Sequence, residues 1–321
     1  MEIIKWQASQ IIFSVVMPSF NQVAYIEKSI LSILGQKGDF FLDFIVVDGG
    51  STDGTPQKLA GLESEFLSSV TSSIVIEGLA FVRGDVPCSI DCRGVSFRWI
   101  SEPDNGQANA INKGIVLSRG DCFCWVNSDD ILLENALQKA TLALQKHAIV
   151  FGGTIAIDAD GKEMWRQLPV KANLETLLLK REGLPQPSVF FRKELLRKYG
   201  RLREDLHYYL DHELWMRFAL NGIRFYHVND IFSMQVYHPG SKSCQGDILF
   251  EKFRPEESTV REEYLHKRSY RIIATKNAAA FKSAVVKASW RIKEAAGIGI
   301  DVFYKGSRWI AKRAILFLNR K

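Results

Sequence analysis

The sequence predicts an α/β protein, a mixed sheet flanked by helices, with a basic amphipathic helical extension at its carboxyl end. Three observations carry that prediction. Short runs of β-branched and aromatic residues recur through the first 260 positions, apolar stripes at helical spacing separate them, and the runs end in glycine, proline or small polar residues. The body is expected over residues 1–260, with an irregular insertion at about 63–97, and the tail over 261–321.

Residues 11–17 are apolar and β-branched, and Pro18, Ser19, Phe20 and Asn21 end them in a turn, so they form the first strand. Ile26, Ile30, Ile33 and Leu34 then mark a helix that packs back on the sheet. Residues 44–47 repeat the strand signature and run into a loop, 48–55, of glycines and short polar side chains. Its glycines let backbone approach a ligand, and Asp48 and Asp53 can accept from a base, a ribose or neighbouring amides. An ordinary capped turn explains the same residues. Between 63 and 97 the periodicity fails, and an inserted hairpin or irregular excursion is expected. Residues 99–106 read as a strand and turn, and 107–118 as a helix whose first turns carry Gln107, Asn109, Asn112 and Lys113, groups suited to phosphate or ribose.

The next stretch organises the chain. Five apolar residues, 122–126, predict a buried central strand that runs out into Asn127, Ser128, Asp129 and Asp130. Ligands of open α/β sheets bind at the carboxyl ends of strands, and paired carboxylates there suit a Mg²⁺ or Mn²⁺ that carries substrate phosphates. Capping of a helix over 132–146 by either acid is the competing explanation. Strands follow at 149–157 and 164–166 around an Asp-Gly turn that accounts for Asp158 and Asp160. A strand at 189–191 and a helix at 193–199 come next. In the last helix of the body Leu210, Leu214 and Phe218 share a face, and Asp211 is expected to point inward with them. A buried carboxylate is uncommon unless paired or working, although a capping role fits too. His238 falls in a loop, where an isolated histidine is ordinarily a surface side chain.

Composition narrows the class. Five irregularly spaced cysteines, acidic residues near the amino terminus and no leader pattern point to free thiols in a reducing cytoplasm. Cys122 and Cys124 fall on one face of their strand. No run of 18 apolar residues occurs, which argues against a membrane span. The net charge of +6 is unevenly spread, because residues 261–321 carry 15 Lys and Arg against 4 acids while the body is mildly acidic.

Four segments in order resemble the family 2 glycosyltransferases of the GT-A fold, whose sheet is Rossmann-like, over roughly residues 11–245. They are Val-Val-Met-Pro-Ser-Phe-Asn with Asp-Gly-Gly-Ser-Thr-Asp-Gly-Thr, Ser-Glu-Pro-Asp-Asn-Gly-Gln-Ala-Asn-Ala-Ile-Asn-Lys-Gly, Asn-Ser-Asp-Asp, and Leu-Asp-His-Glu-Leu-Trp-Met-Arg. Each is weak singly; together, in this order and spacing, they are strong. The resemblance implies an inverting enzyme that moves a sugar from a nucleoside diphosphate donor, uridine being the expected base, to a hydroxyl of a glycan or lipid-linked acceptor. Pro18, Ser19, Asn21, Asp48 and Ser51, with Asp53 in the same loop, would hold the nucleoside, while Gln107, Asn109 and Lys113 would lie along the donor. Asn127 stands where the family usually has a metal-binding aspartate, so it would bond a ribose hydroxyl. Asp129 would be the main ligand of a divalent cation (Mg²⁺ or Mn²⁺), with Asp130 in support and His238 reaching the cation or the diphosphate. Asp211 would be the general base, although Leu210 replaces a common glutamate. Ser241 and Lys242 resemble a loop that closes on the donor, and Gln186 is expected to contact the sugar or acceptor.

In the tail, Phe281, Ala284, Val285, Ala288, Ile292 and Ala295 share a face ringed by Lys282, Lys287, Arg291 and Lys293, and a second such segment carries Phe303, Ile310, Ala314 and Phe317. Such helices favour anionic surfaces, so a peripheral position at the cytoplasmic face of the membrane is expected, with packing on the body or a second copy as the alternative. Nucleic acid is not an expected partner, since no stacking or helix-turn-helix pattern accompanies the charge. Two rival functions remain: a nucleotidyltransferase, which normally has a basic Gly-rich loop after the first strand, and a catalytically silent nucleotide-sugar binding protein, suggested by Asn127 and Leu210.

Overall fold

The computed structural model describes residues 11–84, 91–178, 183–244 and 247–266. Four parallel strands form its centre: β1 (Ile12–Ser19), β2 (Gly38–Asp48), β5 (Cys92–Ser101) and β6 (Cys122–Trp125). They lie in the order β5-β2-β1-β6. Helices α1 (Ile26–Leu34), α2 (Thr55–Ser68) and α3 (Gln107–Leu117) lie between them along the chain. The order reverses between β1 and β6. A crevice opens at the carboxyl ends of strands at such a point, which is where Ser19 ends β1 and Asn127 follows β6.

The remaining strands extend the sheet. The hairpin of β3 (Ser72–Ile76) and β4 (Leu79–Arg83) joins beyond β5. On the other side, β10 (Val189–Arg192) runs antiparallel to β6 and to β8 (Ile149–Asp158). β11 (Phe225–Tyr237) is parallel to β8, and the short β7 (Asp130–Leu132) is antiparallel to β11. β9 (Glu163–Gln167) pairs with β8 alone. Helices α4 (Ala136–Leu144), α5 (Leu174–Leu178), α6 (Glu194–Tyr199), α7 (Leu210–Leu220) and α8 (Asp247–His266) complete the described chain.

Strand alternation divides the core between the two faces. Val15, Met17, Cys122 and Cys124 pack with α1, α2 and α4, whereas Val16, Phe123 and Trp125 pack with α3, α5, α6 and α7. Cys122 and Cys124 therefore share a face as expected, and burial pushes both thiols well above their usual range. Trp125 stacks on Trp215 of α7 at 5.5 Å, with Phe191 edge-on to both. This aromatic seam fixes α7 against the central strand. Inside the sheet, fully buried Asp43 accepts from Ser14 Oγ at 2.7 Å, the Arg119 amide at 2.8 Å and Arg98 Nη2 at 2.5 Å. A carboxylate there is tolerated because its oxygens are satisfied by donors, one of them charged.

Three expected elements differ from those observed. The helix expected over 132–146 is two elements: Asp130, Ile131 and Leu132 pair with Ser233, Met234 and Gln235, and the helix starts only at Ala136. The edge pairing overrides helical periodicity over those three residues. The irregular stretch also shrinks, because α2 continues to Ser68 and β5, from Cys92, is a central parallel strand. What remains is the β3–β4 hairpin, whose Glu77 and Gly78 both take positive φ. The third is β2, which begins at Gly38 rather than at residue 44. In the tail, α8 crosses the boundary expected at 260, and the amphipathic segments at 278–317 lie outside the described residues. No helix among the described residues is long and apolar enough to cross a membrane.

Candidate active site

The loop after β2 is tied to the segment after β1. Asp48, fully buried at the end of β2, accepts from the Ser51 amide at 2.9 Å, Ser51 Oγ at 2.5 Å and Ser101 Oγ at 2.7 Å. Ser51 Oγ in turn accepts from the Asn21 amide at 2.7 Å, and Asn21 Oδ1 from the Thr52 amide at 3.0 Å. Asn21 sits at φ 53°, a left-handed conformation that Asn tolerates. Asp53 accepts from the amides of Val23 and Thr55 and from Thr55 Oγ1, which hold its carboxyl below the usual range against the opposing effect of burial. Asp48 and Asp53 thus build the loop. Two groups are left over, buried Ser19 Oγ and Gln22 Oε1, neither with a hydrogen-bond partner among the described residues. Asp104, just after β5, closes the rim against Gly49: a Cβ on that glycine would stand 2.5 Å from the Asp104 Oδ2 and push the carboxylate aside. Sequence reasoning did not single out Asp104.

At the end of β6 a chain of amides lines the crevice. Asn127 Oδ1 accepts from Gln107 Nε2 at 2.7 Å, and its Nδ2 donates to Asp130 Oδ2 at 3.0 Å and Gln186 Oε1 at 3.4 Å. Gln186 Nε2 donates to the Trp125 carbonyl at 2.8 Å. Of the groups expected on α3, only Gln107 joins this chain. Asn109 donates to Glu204 at 2.8 Å, and Lys113 is held by the Pro103 carbonyl and Glu102, so both stitch α3 to neighbouring turns.

Asp129 faces His238, with 3.2 Å between Oδ2 and Nε2. Contrary to the expectation of a surface residue, His238 is buried, because its ring stacks on Tyr25 at 3.9 Å. The Gly240 amide donates to Nδ1 at 3.2 Å, which leaves the neutral ring's proton on Nε2, pointing at Asp129. Asp130 does not flank Asp129 as a second open carboxylate. It is buried on β7 with one oxygen held by Asn127, and burial together with the Asp129 charge pushes its carboxyl well above the usual range. Among the described residues no three His, Cys, Asp or Glu converge. A cation here would have Asp129 and His238, the ring giving up its Nε2 proton and carrying its hydrogen on Nδ1, which requires the Gly240 amide to move off Nδ1. The Asp129 carboxylate suits Mg²⁺ or Mn²⁺, which fill most of their positions from phosphates and water, while the imidazole is a poorer donor for Mg²⁺ than for Mn²⁺.

Helix α7 brings the second acid. The buried carboxylate of its inner face is Glu213, held by Arg217 Nη2 at 2.7 Å and the Tyr264 hydroxyl at 2.6 Å; Asp211 keeps a partly exposed side chain. The inward orientation expected for Asp211 belongs to Glu213, two positions on, where α8 covers the helix. Asp211 Oδ1 accepts from the His212 amide at 2.7 Å and lies 3.0 Å from His212 Nδ1. Burial would raise Asp211, but the His212 charge and these hydrogen bonds hold its carboxyl below the usual range. Burial likewise opposes the effect of Asp211 on His212, and the carboxylate prevails, so His212 is raised.

Lys242 joins the two halves. Although the side chain is exposed along its length, its ammonium donates to Gln107 Oε1 at 2.8 Å and the His207 carbonyl at 3.0 Å, 5.6 Å from the Tyr208 ring centre. Partial burial lowers its pKa, opposed by the charges of Glu256, Asp211 and Asp129. Asp129 and Asp211 therefore bear on one ammonium from two elements 82 positions apart in the chain. A cavity of about 420 Å³ lined by Gly38, Phe41, Ile74 and Phe81 sits at the opposite ends of the strands, away from these groups.

The family described as Glycosyl transferase family 2 matches residues 14–71 and 90–218. An uncharacterized glycosyltransferase of Mycobacterium tuberculosis (strain H37Rv) is 26% identical over 213 residues, 64% of this chain and 68% of that protein. One from Rickettsia conorii is 23% identical over 79% of this chain, which spans only 38% of that relative. Among solved structures, S. aureus TarS 1-349 in complex with UDP superposes with a TM-score of 0.52 at 18% identity, covering 80% of this chain and 66% of that one. The mannosyltransferase PcManGT from Pyrobaculum calidifontis, in complex with GDP-Man and Mn²⁺, gives 0.52 at 18% identity over 96% and 81%. At such identities the structures speak to the fold, which is of the GT-A type.

Proposed function

The chain belongs to glycosyl transferase family 2, and from that premise we propose that it transfers a sugar from a nucleoside diphosphate donor, preferentially a UDP-sugar, to a hydroxyl of a glycan or lipid-linked acceptor with inversion. The observation that supports this reading is the hydrogen-bonded chain Lys242–Gln107–Asn127, which ties the end of β6 beside Asp129 to the His207 carbonyl in the segment that leads into α7 and Asp211. Inversion requires the attacking hydroxyl and the departing diphosphate on opposite sides of the anomeric carbon. Asp211 takes the proton of the attacking hydroxyl. Lys242, kept on the His207 carbonyl, meets the diphosphate by exchanging its Gln107 partner for a phosphate oxygen. Asn127 and Gln186 offer amides to sugar and ribose hydroxyls, and Ser19 Oγ is free to bind the nucleoside. A divalent cation held by Asp129 and His238, when bound, supplies positive charge against the charge that develops on the leaving diphosphate.

Mn²⁺ with UDP is expected to raise the melting midpoint of the full chain more than either alone, since ligands of the folded form stabilise it by mass action, by about 2.7 kcal/mol at 100 Kd. Release of UDP from UDP-sugars, or of GDP from GDP-mannose, then tests turnover. Binding without turnover across donors and acceptors favours the second reading, a silent binding protein, for which Asn127 and Leu210 are the observations.

The proposal assigns 1–260 to the catalytic unit and 261–321 to docking at an anionic, cytoplasmic membrane surface near a lipid-linked acceptor. Vesicles containing phosphatidylserine should float the full chain, and removal of residues 278–321 should abolish flotation. Equal flotation of both forms would refute membrane docking by the tail.

A further inference from the structure

Helix α8 presents Glu256 to the segment that leads into α7. Its Oε1 accepts from the His207 amide at 2.9 Å, and its Oε2 from the amides of Tyr208 and Tyr209 at 2.8 and 2.9 Å. Three successive N–H groups, of His207, of Tyr208 and of Tyr209, the N-cap of α7, have no partner in the helix, and one carboxylate accepts from all three. Tyr209 is the pivot of the unit they fix. Its carbonyl accepts from the Glu213 amide at 3.0 Å in the first turn of α7, and its ring stacks on His212 at 4.9 Å. His212 in turn pairs with Asp211. Phe253, three residues before Glu256 on α8, packs edge-on against both Tyr209 and His212. The carbonyl of His207, whose amide Glu256 holds, is the one that receives Lys242. One carboxylate on α8 therefore sets the backbone from which both the Asp211–His212 pair and the Lys242 anchor are hung.

We propose that Glu256 is a positioning residue of the transfer reaction, acting through Tyr209 and His212 to orient Asp211 and through the His207 carbonyl to seat Lys242. The inference rests on the reading of Asp211 as the base. It makes α8, which lies beyond the stretch that matches the family, part of the active centre rather than a cover for it.

The test compares Glu256→Gln, Glu256→Asp and Tyr264→Phe in the full chain. Glutamine puts an amide donor against one of the three N–H groups, aspartate keeps the charge on a shorter stem, and the Tyr264 change removes a buried hydrogen bond of α8 to Glu213 without touching 207–212. Three quantities are read: melting midpoint, kcat and KM for nucleotide release from UDP-GlcNAc and GDP-mannose with Mn²⁺, and the His212 pKa by NMR of ¹³C-labelled histidine. His212 is faced by Asp211 on its own helix and by Glu257 and Arg261 of α8, and all three stay in place in every variant. Glu256→Gln should lower kcat roughly 10- to 100-fold through Asp211, the scale of loss expected when a reacting group is misplaced by an ångström or less, and raise donor KM through the loosened Lys242 seat. It should also move the His212 pKa down toward its ordinary value, and Glu256→Asp should restore part of both. Tyr264→Phe should lower the midpoint while leaving kcat and the His212 pKa as they are.

An unshifted His212 in Glu256→Gln overturns the proposal even if no donor is turned over. So does a midpoint loss that accounts for all the lost activity, or failure of every Glu256 variant to fold, since each makes the residue a stability element only. If Asp211→Asn keeps its turnover, the reading of the base fails instead, whatever Glu256 does.

Discussion

Replacing Asp211 with Asn lowers kcat about 10²- to 10⁴-fold, the usual contribution of a positioned base, and leaves the affinity for UDP with Mn²⁺ close to that of the unaltered chain. The asparagine keeps an oxygen for the His212 amide, so the first turn of α7 survives; it lacks a site for the hydroxyl proton. Single-turnover kinetics and nucleotide titration separate the two effects. The pH dependence follows from the pair. Because the His212 charge and its hydrogen bonds hold Asp211 below its ordinary 3.8, the proposed base is ionised throughout the neutral range. Because Asp211 raises His212 above its ordinary 6.5, kcat should rise as the imidazolium loses its proton above that value and ceases to hold the carboxylate's charge. Stability moves the other way. The His212 contribution is complete below pH 6.5 and is lost as pH rises through its raised folded value, and the Asp211 contribution is present above pH 3.8 and is lost as pH falls through its lowered one. Loss of turnover together with nucleotide binding in Asp211→Asn would mean that the residue holds the cleft rather than the proton.

The second large effect belongs to Asp129. Changing it to Asn removes the charge from the one open carboxylate at the end of β6 while leaving a side chain that can still meet His238. Turnover should fall by about 10²-fold or more, and the additional midpoint rise that Mn²⁺ gives with UDP should vanish. Asp130→Asn should do much less to Mn²⁺ binding, because that carboxyl is buried against Asn127 and pushed toward its neutral form. Equal loss in the two variants would make Asp130 a ligand and contradict its placement on β7.

Much of this site was legible because strand ends and their polar exits are local signals. The apolar run 122–126 and the loop 48–55 located the crevice, and apolar spacing in 210–218 located α7. Which acid of α7 is buried was not legible, since Asp211 and Glu213 are separated only by where α8 lies. Nor could spacing tell that Asn109 and Lys113 are committed to Glu204 and to Glu102 with the Pro103 carbonyl, because those partners are set by tertiary packing. β7 was missed for a similar reason. Three residues carry too little periodicity to outweigh the helix that follows, and only pairing with β11 makes them a strand. His238 looked like a loop histidine until Tyr25, more than 200 positions earlier, supplied the ring it stacks on.

The most direct measurement is an anomalous difference map at the manganese edge from crystals of the full chain grown with Mn²⁺ and UDP. The account predicts one strong peak within bonding distance of the Asp129 carboxylate and His238 Nε2, beside the diphosphate, in the cleft that Asp211 faces from α7. A peak elsewhere, or one at Asp129 in a cleft that Asp211 does not share, would contradict it.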